Sequence, residues 1–190
     1  MNKVYFIRHA KPDFSVHDDL TRPLTDEGRK SSEKLINFFK DKNITKIYSS
    51  PYKRSIDTVK GIADAFNLDI ELVEDFRERK ITDGWIEDFN GFAKSQWEDF
   101  NYKLTGGEAL KEVQDRNIKA LKIILEEHRE GDIVIGTHGT ALSMIINYFN
   151  KEFNYIDFER IKDIMPWVVC IEFDGTNLVI IEELVRSAMY

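Results

Sequence analysis

Four basic side chains sit where apolar runs of this chain end. "VYFIRHA" delivers Arg8 and His9, "VIGTHG" delivers His138 with Gly139 behind it, and "IYSSPYKRS" delivers Arg54 just after a short apolar segment. Taken singly, a histidine or arginine leaving a strand is a structural or solvated residue. Repeated along one chain, the pattern points to a shared anion site. In open α/β sheets the ligand crevice lies beyond the carboxyl ends of the strands, where strand order reverses. If the strands ending at His9 and His138 are neighbours, both imidazoles face that crevice. Arg54 falls in the first turn of a predicted helix, where free N–H groups and the helix dipole already favour an anion. Its planar guanidinium adds a fork matched to phosphate oxygens.

The elements that must position these groups alternate between strand-like and helix-like, which predicts a layered α/β fold. "VYFI" reads as a strand covered on both faces. A helix follows, with Thr25 as its N-cap, Asp26 and Glu27 in its first turn, and Leu35, Phe38 and Phe39 on its apolar stripe. "KIYSS" is a second strand and leads into a second helix. Ser50 is predicted as the N-cap of that helix and Pro51 as its first residue, with Ile56, Val59, Ile62, Ala63 and Phe66 buried. "IELVED" is a third strand. A long helix is predicted from about Glu108 to Arg129, with Gly131 ending it. "DIVIGTHG" is a central strand followed by a helix, and "WVVCIEFDGTNLVIIEEL" is a closing hairpin that turns at Asp174-Gly175.

With 190 residues and no linker or repeat, the chain reads as one domain able to bury a core without disulfides. A net charge of −7 provides no global field for nucleic acid or anionic membrane, so any phosphate site must be a local concentration of positive charge. No apolar stretch approaches the ~20 residues of a membrane span, and the N-terminus does not read as a signal peptide. The single cysteine, Cys170, reads as a small buried side chain in a reducing cytoplasm.

The chain resembles the histidine phosphatase superfamily, also called the phosphoglycerate mutase-like family. "FIRHA", "PLTDEGRKSS", "IYSSPYKRSIDT", "DFRER", "TGGEAL" and "VIGTHGT" carry the resemblance along most of its length. It implies a three-layer α/β/α sandwich around a mostly parallel sheet, with residues 79–107 as a small helical or loop insertion capping the site. It also implies a histidine acid phosphatase-type phosphomonoesterase. His9 would attack phosphorus to form a phosphohistidine. Arg8, Arg54, His138 and Gly139 would bind the phosphate, with His138 protonated. Glu78 of "FRER" stands where the family carries its proton donor. Asp75, Glu74 and Glu87 are weaker rivals, and Arg77 beside Glu78 would oppose the raised carboxyl pKa that a donor needs.

No metal or cofactor is implied; the partner is a small phosphomonoester, and a homo-oligomer is left open. Departures from the family pattern are "AKP" after the histidine and "ITDGWIEDFNGF" in the capping stretch. Lys11 is expected to face solvent more than substrate. Trp85, Phe89, Phe92, Trp97, Phe100 and Tyr102 are expected mostly to pack that stretch onto the body, and a pocket-lining role is the rival expectation. "HDD" at 17–19 reads as a solvated loop rather than a metal site. The short C-terminal tail favours hydrolysis over a phosphoglycerate mutase-type reaction, because a mutase must keep its intermediate from water. The same motifs are compatible with a phosphohistidine protein phosphatase, or with a non-catalytic phospho-ligand binding protein.

Overall fold

The computed structural model describes residues 1–84 and 86–185; Trp85 and residues 186–190 lie outside them. Strands β1 (Asn2–Arg8), β2 (Ile44–Ser49), β3 (Ile70–Leu72), β4 (Asp132–Thr137), β5 (Trp167–Asp174) and β6 (Asn177–Val185) form one sheet in the order β3-β2-β4-β1-β5-β6. The pairs β3–β2, β2–β4 and β4–β1 are parallel, whereas β5 runs antiparallel to both β1 and β6. The neighbour relation expected of the two histidine-bearing strands therefore holds. Arg8 lies in register with Thr137, and the His9 N–H continues the ladder to the Thr137 carbonyl at 3.0 Å.

Successive side chains of a strand face opposite ways, so a sheet covered on both sides carries apolar residues at every position. Tyr5 and Ile7 of β1 face the helices α1 (Asp26–Phe39) and α2 (Lys53–Phe66), packing with Leu35, Phe39, Val59 and Ile62. Val4 and Phe6 face the opposite layer. That layer holds α4 (Leu110–Glu127), α5 (Gly139–Phe149) and α6 (Tyr155–Ile161), with α3 (Phe89–Glu98) beside it. The three-layer α/β/α expectation is met. Cys170 is buried in β5, and burial pushes its thiol up to about 11, as befits a packing residue.

Several boundaries differ from expectation for identifiable reasons. Thr25 caps α1, accepting from the Gly28 N–H at 3.0 Å. Ser50, by contrast, does not cap α2. Its own N–H donates to the Gly136 carbonyl at 2.9 Å, which keeps Ser50 extended; the helix begins at Lys53, after Tyr52. Glu108 likewise lies outside α4, because its N–H donates to the Lys80 carbonyl at 2.8 Å. Glu112 instead receives the Ala109 N–H at 2.8 Å at the helix start. Gly131 does not end α4, which stops at Glu127. At φ +80° Gly131 forms the turn into β4, where a side chain would strike Thr45. The hairpin turns at Gly175, at φ +59°, with Asp174 paired to Asn177.

Candidate active site

The carboxyl ends of β1 and β4 bring His9 and His138 together, with ring centroids 5.2 Å apart and edge-to-face. His9 is buried, and its Nδ1 lies 2.8 Å from the Ala10 carbonyl oxygen. A carbonyl only accepts, so Nδ1 carries the ring proton and Nε2 keeps its lone pair. The loop bearing this acceptor is itself fixed. The Ala10 N–H donates to Thr58 Oγ1 at 3.0 Å, and Thr58 in turn donates to the Arg54 carbonyl at 2.7 Å.

Arg8, the last residue of β1, donates from Nη1 to the Ile161 carbonyl at 2.6 Å and the Ile164 carbonyl at 3.3 Å, at the end of α6. Its Nε is buried without a hydrogen-bond partner, and burial pushes the guanidinium down to about 10. A side chain on Gly139 would meet the Arg8 Cζ and Nε at 3.1 Å, so glycine at this position gives Arg8 its place. Arg54 lies in the first turn of α2 as expected and is buried. It donates from Nη1 to the Asp19 carbonyl oxygen at 2.6 Å and lies over the Tyr52 ring at 5.0 Å.

His138 caps α5 and is fully buried, with Nε2 placed 2.8 Å from Ser50 Oγ and Nδ1 buried without a partner. Burial first, then the Arg54 and Arg8 charges, hold both imidazoles well below the usual histidine range, and His9 adds to the lowering of His138. In the substrate-free protein, burial and then the surrounding positive charge favour the neutral form of His138; the protonated form is expected only with an anion bound.

This neutrality has a thermodynamic consequence. On unfolding, each imidazole returns to a pKa near 6.5, so below that pH the unfolded chain binds more protons. The two histidines contribute full stability above about pH 6.5 and lose roughly 1.4 kcal/mol each per pH unit below it, until their folded pKa values are reached. Thermal melts of the ligand-free protein between about pH 7.5 and 5 should show the midpoint falling, and His138→Gln should reduce the slope. An identical slope in wild type and variant would overturn the assignment of a neutral buried His138.

Glu78 follows the 3-10 turn at Glu74–Phe76 and reaches the start of α5. Its carboxylate accepts the Thr140 N–H at 3.0 Å, the Ala141 N–H at 3.2 Å and the Arg79 N–H at 2.8 Å. It thus rests on the same helix terminus that His138 caps, within electrostatic reach of Arg8 and Arg54. The rival acids lie elsewhere. Glu74 and Asp75 face Arg77 at 3.7 and 4.0 Å from half-exposed or exposed positions, and Glu87 is exposed. Arg77 does not pair with Glu78; its Nη2 donates to Glu108 at 2.7 Å.

Residues that the motifs did not identify hold the acid in place. Arg116 of α4 donates from Nη1 to the Asp75 and Arg77 carbonyls at 2.6 and 2.9 Å, and from Nε to Glu108 at 2.9 Å. Glu108 also accepts the Lys80 N–H at 2.9 Å. Burial alone would raise its carboxyl, but Arg116, the Lys80 N–H and Arg77 bring it below the usual range. The one available signal was "GGE" itself, which reads as a helix start. Ser50 and Thr58 are visible within "SSPYKRSIDT", but His138 and Ala10, which they meet in the site, are distant in sequence.

Lys11 pairs with Glu27 at 2.7 Å, both being exposed. In the 79–107 stretch Phe92 is buried, and Trp97 packs on Phe153 and Phe158 with centroids 6.1 and 5.9 Å away. Phe100 contacts Trp97, whereas Phe89 and Tyr102 are partly exposed. The "HDD" loop is not simply solvated. Asp18 accepts the Leu20 and Thr21 N–H groups, and Asp19 engages Arg54 and Arg22.

A 2,3-bisphosphoglycerate-dependent phosphoglycerate mutase from Thermoplasma acidophilum is 28% identical over 161 residues, spanning 78% of this chain and 76% of its own. Phosphoserine phosphatase 1 of Hydrogenobacter thermophilus is 27% identical over 155 residues, spanning 73% of this chain and 71% of its own. The fold matches that of a mycobacterial glucosyl-3-phosphoglycerate phosphatase bound to VO3, with a TM-score of 0.78 at 16% identity over 97% of this chain and 98% of that one. Among the described residues, no helix is long and apolar enough to cross a membrane. The sequence profile of one family matches residues 4–180, and the chain belongs to that family, the histidine phosphatase superfamily (branch 1).

Proposed function

We propose that this protein hydrolyses small phosphomonoesters through a phosphohistidine on His9, without a metal ion. The observation that carries the reading is the bond between His9 Nδ1 and the Ala10 carbonyl, which leaves Nε2 as a fixed, neutral nucleophile. Nε2 attacks phosphorus, the ester P–O bond breaks, and the departing alkoxide takes a proton from the Glu78 carboxyl. Glu78 then removes a proton from water, the hydroxide attacks phosphorus, and the N–P bond breaks to return neutral His9 and inorganic phosphate.

Charge on the three equatorial oxygens is met by Arg8, Arg54 and His138, beside Gly139. Arg8 Nε and His138 Nδ1 are buried polar atoms without protein partners, and phosphate oxygens would satisfy both. A phosphate dianion also supplies the negative charge that lets His138 hold a proton. Residues 79–107 cap the site within a single domain. Relatives named for phosphoserine and 2,3-bisphosphoglycerate support a small phosphorylated substrate. The single buried thiol suits a reducing compartment such as the cytoplasm.

Turnover of an aryl phosphate in excess chelator tests the reading. The expected result is sustained release of inorganic phosphate, with an acid-labile, alkali-stable phosphate trapped on the peptide containing His9. Activity lost to chelator, or a trapped phosphate on any other residue, would sink the mechanism. Transfer of the phosphoryl group to a second metabolite without free phosphate would favour a mutase.

A further inference from the structure

The loop preceding α1 reaches across to the start of α2. Arg22 holds this loop together from within, donating from Nε to the Val16 carbonyl at 2.7 Å and from Nη2 to the His17 carbonyl at 3.2 Å. Its Nη1 donates to Asp19 Oδ1 at 2.8 Å, and its guanidinium lies 5.6 Å from the Phe14 ring centroid. The Lys53 N–H, in the first turn of α2, donates to the Leu20 carbonyl at 2.9 Å and anchors the far side. Asp19 is thereby presented to Arg54 in two ways. Its main-chain oxygen accepts from Arg54 Nη1 at 2.6 Å, and its Oδ1 lies 3.3 Å from the same nitrogen.

The two partners differ sharply in exposure: the Arg54 side chain is 4% exposed and that of Asp19 is 52% exposed. A buried guanidinium needs a counter-charge, and Arg54 also shares its surroundings with the positive charge of Arg8. The main-chain oxygen supplies orientation without net charge. The carboxylate supplies charge, yet it sits at the solvent boundary and is divided between Arg54 and Arg22. Such an anion is strong enough to offset part of the positive field and weak enough to yield to a phosphate.

We propose that Asp19 is the resting counter-ion of Arg54, a positioning residue whose carboxylate competes with phosphate for that guanidinium and so limits how tightly product is held. The proposal rests on the reading that Arg54 binds phosphate. It assigns separate tasks to two parts of one residue. The main-chain carbonyl keeps the fork aimed, and the side chain tunes affinity.

The test is calorimetric titration of inorganic phosphate into wild type, Asp19→Asn, Asp19→Ala and Arg54→Met. Both Asp19 variants keep the main-chain carbonyl, and the side chain they alter is half-exposed. The expected result is phosphate binding about three- to ten-fold tighter in Asp19→Asn and Asp19→Ala, the range of a partly screened ion pair. KM and the phosphate inhibition constant should fall together, a shift that a merely structural role would not produce. Phosphate binding that is unchanged or weaker in both Asp19 variants overturns the counter-ion proposal. If Arg54→Met binds phosphate as wild type does, the underlying assignment of Arg54 is what fails. Melting temperatures of all four proteins identify any variant that has lost its fold, and Asp19→Ala then decides in place of Asp19→Asn, or the reverse.

Discussion

His9→Gln is expected to abolish turnover, with a loss on the order of 10^4 or more in kcat, because an amide lacks the nucleophilic nitrogen that the proposed covalent intermediate requires. Glutamine retains a polar side chain of comparable reach in a buried position, so the fold should survive. It also leaves Arg8, Arg54 and His138 untouched. The variant should therefore still bind inorganic phosphate or vanadate while forming no phosphoenzyme. This pairing separates a chemical role from a binding role: a residue that merely shaped the pocket would lose both together. Residual activity within about a hundred-fold of wild type would mean that another nucleophile, or a directly attacking water, carries the reaction.

Glu78→Gln has an effect that depends on the leaving group. An alkyl phosphate needs a proton on its departing oxygen, so the variant should lose about 10^2 to 10^4 in rate. An activated aryl phosphate departs without help, so its first step stays fast. Hydrolysis of the proposed phosphohistidine would still lack its base, and the expected trace is a burst of one phenolate per site followed by slow turnover. Equal losses on both substrates with no burst would return the proton-transfer role to another group. An amide nitrogen cannot accept from the Thr140, Ala141 or Arg79 N–H groups, so at least one of those bonds is lost. That change costs about 1 kcal/mol of stability, too little to mimic the kinetic signature.

Glu78 also shows how the site is assembled. Nothing local to "DFRER" distinguishes its acids, since Glu74, Asp75 and Glu78 all lie near Arg77 in sequence. The fold separates them. Arg116 fastens the carbonyls of this segment to α4, Glu108 draws Arg77 aside, and Glu78 alone turns onto the N–H groups of α5. The same logic applies to Ser50. It carries every local mark of a helix cap, yet the β2–β4 ladder holds its backbone extended and frees its hydroxyl for His138.

Some features were determined by the sequence itself, because they depend on neighbours along the chain. Apolar runs and helical stripes specified the alternating elements, Thr25 its helix cap, and the "RHA", "YKRS" and "THG" signatures the four basic residues that meet at one sheet edge. The tertiary structure alone decided what these groups do to one another. Burial between β1, β4 and α2 removes water from His9 and His138 and keeps both neutral. The Ala10 carbonyl selects the tautomer of His9, and the absence of a side chain on Gly139 makes room for Arg8. A loop that reads as solvated places Asp19 on Arg54. Protonation, tautomer and counter-charge are set by dielectric and distance in space, and sequence spacing does not encode those quantities.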